Sequence, residues 1–171
     1  MKAQLLALAM SAAPVVHGDV VSTADFLEVA VPFIAENEGK RNHAYQDVVG
    51  VWTICYGSTR GVKPGDYKTD EECDALLAAE ILEYRENLHK FFTEDTIARR
   101  LTPERDTAYV DLAINVGWGT AGKSTATRRL NAGDIRGGCV ALTWYNKAGG
   151  KIWRGLVTRR AKAKVLCLKG L

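Results

Sequence analysis

Residues 43–62 limit the fold more than any other stretch of this chain. Val48, Val49, Val51, Trp52, Thr53, Ile54 and Tyr56 favour strands, and Gly50, Gly57 and Gly61 interrupt them. A run so short and so punctuated makes a small antiparallel sheet with tight turns. Helical patterns bracket it. Upstream, Ser22-Thr23-Ala24-Asp25 offers helix-start chemistry, and Phe26, Val29, Ala30, Phe33 and Ile34 recur at helical spacing up to a glycine stop at Gly39. Pro32 is expected to kink or restart that helix. Downstream, a loop at Gly61–Asp66 leads to a capping box, Thr69 with Glu72, and to a long apolar stripe (Leu76, Leu77, Ile81, Tyr84, Leu88) reaching toward Phe92. Thr102-Pro103 opens another helix with Tyr109, Leu112, Ala113 and Val116 on its core face, and Gly117 with Gly119 is expected to stop it. Further helices fit residues 123–131, 134–146 and 156–168. The pattern predicts an α+β fold: a small antiparallel sheet lobe and a larger helical lobe with a cleft between them. A chain of 171 residues suits one compact domain or two small lobes sharing a core.

Three residues around the predicted sheet carry chemistry. Glu38 falls on the last turn of the first helix, next to apolar Ile34 and Ala35. Asp47 lies nine residues on, at the first turn of the sheet, and Thr53 six residues later on the second strand. Cleaving a glycosidic bond needs an acid to protonate the leaving oxygen and a second carboxylate to activate water or steady positive charge. Glu38 fits the first role, Asp47 the second, and Thr53 can share a water with Asp47. Taken singly, Glu38 is no more than a helix-end acid and Asp47 a turn residue. Together they form a candidate catalytic set.

The stretch Glu38-Gly39, Ala44-Tyr45-Gln46-Asp47 and Val51-Trp52-Thr53-Ile54-Cys55-Tyr56-Gly57 resembles the motif of the phage-type lysozymes, glycoside hydrolase family 24, which includes phage endolysins. Three further segments are similar to that family: Ala113-Ile114-Asn115-Val116-Gly117, Ser124-Thr125 with Arg128-Arg129-Leu130-Asn131, and Gly155-Leu156-Val157-Thr158-Arg159-Arg160. The likeness covers roughly residues 24–168. It implies a lysozyme-like fold and a muramidase acting on peptidoglycan between N-acetylmuramic acid and N-acetylglucosamine. It also implies an inverting outcome, no cofactor and no metal. Catalysis would rest on Glu38, Asp47 and Thr53, with Tyr45, Asn115, Ser124 and Arg159 as substrate contacts. The chain departs from the family pattern at Cys55, where glycine is common, and at Ser58, where histidine is common. At Ala163 a glutamate often follows the arginine pair, so its loss is expected to leave Arg159 or Arg160 without an acidic partner.

Charge and cysteine bear on partners and compartment. Residues 121–171 hold twelve Lys or Arg and one acid, Asp134, so the C-terminal third is strongly basic and the rest acidic. Such a dipole suits an anionic envelope surface. The basic region is poor in aromatics and has no nucleic-acid motif, which argues against nucleic acid. A non-catalytic envelope protein binding glycan or polyanion is the alternative function. Cys55, Cys73, Cys139 and Cys167 lack metal-ligand spacing. They are expected to pair as Cys55–Cys73 and Cys139–Cys167 in an oxidising compartment, with four reduced buried thiols as the alternative. Met1-Lys2 is followed by fourteen uncharged, alanine-rich residues, Ala3 to Val16. That run is short for a spanning helix and has the size of a secretory segment. It also resembles the signal-anchor-release segment of some endolysins. The expected organisation is an export or anchor segment over residues 1–21, transiently membrane-associated, and a catalytic domain over residues 22–171. The protein is expected to act as a monomer in the periplasm of a bacterial host.

Overall fold

A computed structural model describes residues 20–171. Most of the expected leader therefore lies outside the described residues. Helix α1 spans Thr23–Glu38; the Ser22 hydroxyl accepts a hydrogen bond from the Asp25 amide at 3.1 Å, and Gly39 ends the helix with φ +69°. The helix runs through Pro32 as one element, so it does not restart there. Phe26, Ala30 and Ile34 form its buried stripe.

Strands β1 (Arg41–Gln46) and β2 (Trp52–Cys55) pair antiparallel, with Tyr45 opposite Thr53 and Gln46 opposite Trp52. The core of this lobe is small. Ile54, Cys55 and Cys73 are its buried residues, and a disulfide joins the two cysteines. The bond fastens the end of β2 to helix α2 (Asp70–His89), whose N-terminus carries the complete Thr69–Glu72 capping box. Helix α2 then passes into the second lobe, burying Leu77, Ile81 and Leu88.

The helical lobe is built around α4 (Pro103–Val116), in which every residue from Arg105 to Ala113 is buried. Helices α1, α2, α5 (Trp118–Gly122) and α8 (Arg154–Cys167) pack against it, and α3 (Glu94–Arg99), α6 (Thr125–Asn131) and α7 (Ile135–Ala141) extend the lobe beyond them. A second disulfide, Cys139–Cys167, ties α7 to the end of α8. The lobe differs from the sequence pattern in four places. Helix α3, capped by the Thr93 hydroxyl, has too few residues to show periodicity. Gly117, at φ +83°, is the real stop of α4, whereas Gly119 lies inside the short α5. Helix α6 starts after Ser124 because that hydroxyl serves as its cap. Finally, α7 tightens into a single 3-10 turn over Leu142–Trp144, and a hairpin of β3 (Lys147–Ala148) and β4 (Lys151–Ile152) follows it.

Candidate active site

The end of α1 carries Glu38 to the junction of the two lobes. Its side chain is 26% exposed. It lines a cavity of about 230 Å³ with Ile34 of the same helix, Tyr56 and Gly57 beyond β2, Leu77 and Glu80 of α2, and Ile114 of α4. Tyr56 donates its hydroxyl to Asp74 Oδ1 at 2.7 Å, and burial together with that bond pushes its phenol above the ordinary value. The wall beside Glu38 therefore presents a neutral ring.

In the small lobe, the β1–β2 turn is organised by Asp47. Its Oδ1 accepts hydrogen bonds from the amides of Val49 and Val51 at 2.9 and 2.8 Å. The Asp47 amide in turn donates to the Val51 carbonyl. Asp47 is thus fixed by its own turn, and its Oδ2 has no hydrogen-bond partner among the described residues. Thr53 is buried and gives its hydroxyl hydrogen to the Val51 carbonyl at 3.0 Å. The lone pairs of that oxygen stay available to a water. Tyr45, opposite Thr53, lies under the Arg41 guanidinium, 4.3 Å from its ring centre.

Arg159 holds Glu38 from the helical lobe. Its Nη2 lies 2.7 Å from Glu38 Oε1 and 2.8 Å from Asp111 Oδ1, and its Nε donates to Asp111 Oδ1 at 2.9 Å. Asp111 Oδ2 is 2.8 Å from Nη2 of the fully buried Arg160. Both arginines therefore share an acidic partner, correcting the expectation drawn from Ala163. The acid comes from α4, 48 residues upstream of Arg159. Asp111 and Arg160 went unpredicted as members of the site. The available signal was an aspartate inside a helix face that is otherwise all core.

The remaining predicted contacts fall in different places. Asn115 is exposed and shares a groove with Arg159 next to Glu38. Ser124 is buried, caps α6 by accepting from the Thr127 amide, and lines a separate hollow with Lys123, Arg128 and Tyr145. The four cysteines are paired as expected from the sequence. Among the described residues, no group of three His, Cys, Asp or Glu is placed to hold a metal ion.

The family model for phage lysozyme matches residues 35–163, a span that includes Glu38, Asp47, Thr53, Asp111, Arg159 and Arg160. The chain belongs to the phage lysozyme family. This lysozyme is therefore a glycoside hydrolase of the endolysin type. It is 39% identical to a SAR-endolysin of Bacteriophage PS119, over 78% of this chain and 77% of that protein. It is 37% identical to a SAR-endolysin of Enterobacteria phage P21, over 78% of each. Among solved structures, it resembles the muramidase domain of SpmX from Asticaccaulis excentricus with a TM-score of 0.72 at 30% identity, covering 86% of this chain and 97% of that one. An endolysin from Escherichia coli O157:H7 phage FAHEc1 matches with a TM-score of 0.70 at 26% identity, over 91% and 96%.

Proposed function

We propose that this lysozyme hydrolyses the β-1,4 bond between N-acetylmuramic acid and N-acetylglucosamine in peptidoglycan, with inversion at the anomeric carbon. Glu38 gives its proton to the leaving oxygen. Asp47 and Thr53 hold the attacking water on the opposite face of the sugar, Asp47 accepting its proton as the new C–O bond forms. The observation that carries this reading is the position of Glu38, held by Arg159 on the rim of the interlobe cavity, in a chain whose β1–β2 hairpin fixes Asp47 and Thr53 through the Val51 backbone. Tyr45 and Asn115 are substrate contacts in this scheme. Arg159 positions the acid, and Ser124 shapes the hollow beside α6.

The relatives named SAR-endolysin support an exported enzyme with a membrane-tethered stage; in this proposal residues 1–21 are the tethering segment and the enzyme acts as a monomer in the periplasm. Among the described residues, no helix is long and apolar enough to cross a membrane. The basic C-terminal third would then hold the enzyme near an anionic envelope, although Lys162 and Lys169 are already paired with Glu36 and Glu104.

The test is release of reducing sugar from purified peptidoglycan, with the anomer of the first product read by NMR. Glu38→Gln should lower the rate by about 10²- to 10⁴-fold, as expected for removal of a general acid. Undiminished release by that variant would overturn the assignment of Glu38. Wild-type binding of peptidoglycan without any release would favour the non-catalytic alternative. A retained anomer would replace direct water attack with a covalent intermediate.

A further inference from the structure

The β3–β4 hairpin has no role in the scheme above. Gly149 and Gly150 form its two-residue turn with φ of +56° and +77°, the primed geometry that twists two short strands together. The hairpin ends at Trp153, the residue before α8. The Trp153 amide donates to the Asn146 carbonyl, and its indole Nε1 donates to the Ala148 carbonyl, both at 3.0 Å. The polar edge of the ring is thereby pinned to the hairpin, yet the residue remains 58% exposed. A large aromatic held in a fixed pose and left exposed presents a ready-made apolar contact surface.

What lies beside Trp153 identifies the contact. The ring borders a groove of about 520 Å³ whose walls include Asn37, Asn115, Ala148, Leu156 and Arg159. Asn37 precedes Glu38 in sequence, and Arg159 is the residue that clamps Glu38. The groove thus adjoins the candidate active site through Arg159. Asn37 spends its amide on the Phe33 carbonyl, which leaves its side-chain oxygen as an acceptor. Asn115 has no side-chain hydrogen bond among the described residues. An aromatic face flanked by two carboxamides suits a ligand with one apolar C–H face and a rim of hydroxyl and acetamido groups, which describes an N-acetylated pyranose.

We infer that Trp153 is the stacking platform of a glycan subsite next to Glu38, one that takes a sugar ring of the peptidoglycan strand adjoining the scissile bond. The inference rests on the proposed hydrolysis and assigns a site residue outside the catalytic set. Because the ring touches a sugar other than the reacting atoms, it contributes to holding the strand and not to bond cleavage.

Trp153→Ala and Trp153→Phe separate stacking from a structural role. Phenylalanine keeps a ring and loses the bond to Ala148, whereas alanine loses both. On soluble peptidoglycan strands, Trp153→Ala should raise KM by about tenfold, with the loss in KM and not in kcat, while Trp153→Phe stays within about threefold of wild type. Binding of an N-acetylated tetrasaccharide to the Glu38→Gln protein should shift its tryptophan emission, and Glu38→Gln/Trp153→Phe should lose that shift. Equal losses in the alanine and phenylalanine variants would make Trp153 a structural pin and overturn the inference. So would wild-type KM in both variants, or an emission shift that survives the double substitution. If the wild-type enzyme releases no reducing sugar, the hydrolytic proposal itself has failed, and the emission assay still reports on the subsite.

Discussion

The charge cluster behind Glu38 makes a demanding prediction. Asp111 is fully buried and is the carboxylate against which both Arg159 and Arg160 rest. Asp111→Asn preserves shape and removes the charge. It leaves a fully buried guanidinium and a nearly buried one side by side, with Glu38 as the remaining anion in contact. Breaking a buried pair from one side costs about 3–5 kcal/mol, because the stranded charge cannot recover its hydration. For a chain of this size, that lowers the melting temperature by roughly 6–20 °C. Arg160→Met strands nothing, since Asp111 keeps Arg159. The guanidinium of Arg160 makes a close ion pair, but its nitrogens have no aligned hydrogen-bond acceptor among the described residues, and burial pushes its pKa below the ordinary arginine value. Its replacement by an apolar side chain of similar length should therefore cost under about 1.5 kcal/mol. Urea and thermal unfolding of the oxidised, full-length protein measure both. Hydrolysis by Asp111→Asn, assayed well below its melting point, should fall by up to about 100-fold as Arg159 loses the anchor that aims it at Glu38. A cost below about 1 kcal/mol for Asp111→Asn, or equal costs for the two variants, would refute the argument.

Local chemistry made part of this structure legible in the sequence. Ser22 and Gly39 delimit α1, and Thr69 with Glu72 opens α2, because each cap is satisfied by atoms within four residues. Asp47 and Thr53 were readable for the same reason, since both are fixed by the Val51 backbone. The rest depends on pairings that spacing does not encode. Asp111 looks like a polar interruption in the face of α4 until α8 brings Arg159 and Arg160 against it. Comparison of Ala163 with the family pattern pointed to a missing acid nearby on α8, whereas the partner stands on another helix. The β3–β4 hairpin was not legible, because its Lys-Ala and Lys-Ile pairs are too short for strand alternation. Trp153 gained its meaning only when the hairpin fixed its edge and the fold set it beside Asn115.

Two further predictions follow from particular contacts. Lys169 holds the Glu104 carboxyl below its ordinary value of 4.5 across a 2.7 Å ion pair. Glu104 has the lower pKa when folded, so the stabilisation is present above its unfolded value and is lost as pH falls through the folded one. Lys169→Met should cost under about 1 kcal/mol at neutral pH and nothing in strong acid; a deficit that persists unchanged in acid would contradict the assignment. The Cys55–Cys73 disulfide spans 18 residues, and closing a loop of that length restrains the unfolded chain by about 3 kcal/mol. Cys55 also sits at φ +57°, the one positive φ outside glycine among the described residues. Glycine accepts that conformation readily, so Cys55→Gly/Cys73→Ala should be about 1 kcal/mol more stable than Cys55→Ala/Cys73→Ala. Both should lose activity at temperatures where the helical lobe stays folded. Among the described residues, Ile54 is the other fully buried hydrophobic of the small core, with Ala44, Tyr56, Val62 and Leu76 only partly buried around it, so without the cystine the hairpin that carries Asp47 and Thr53 rests on a thin core. Cys139→Ala/Cys167→Ala removes a comparable covalent link far along the chain from the hairpin, and it should lower stability while sparing kcat. Equal kcat losses on removing either disulfide would show that the Cys55–Cys73 bond acts through global stability and not by placing Asp47 and Thr53.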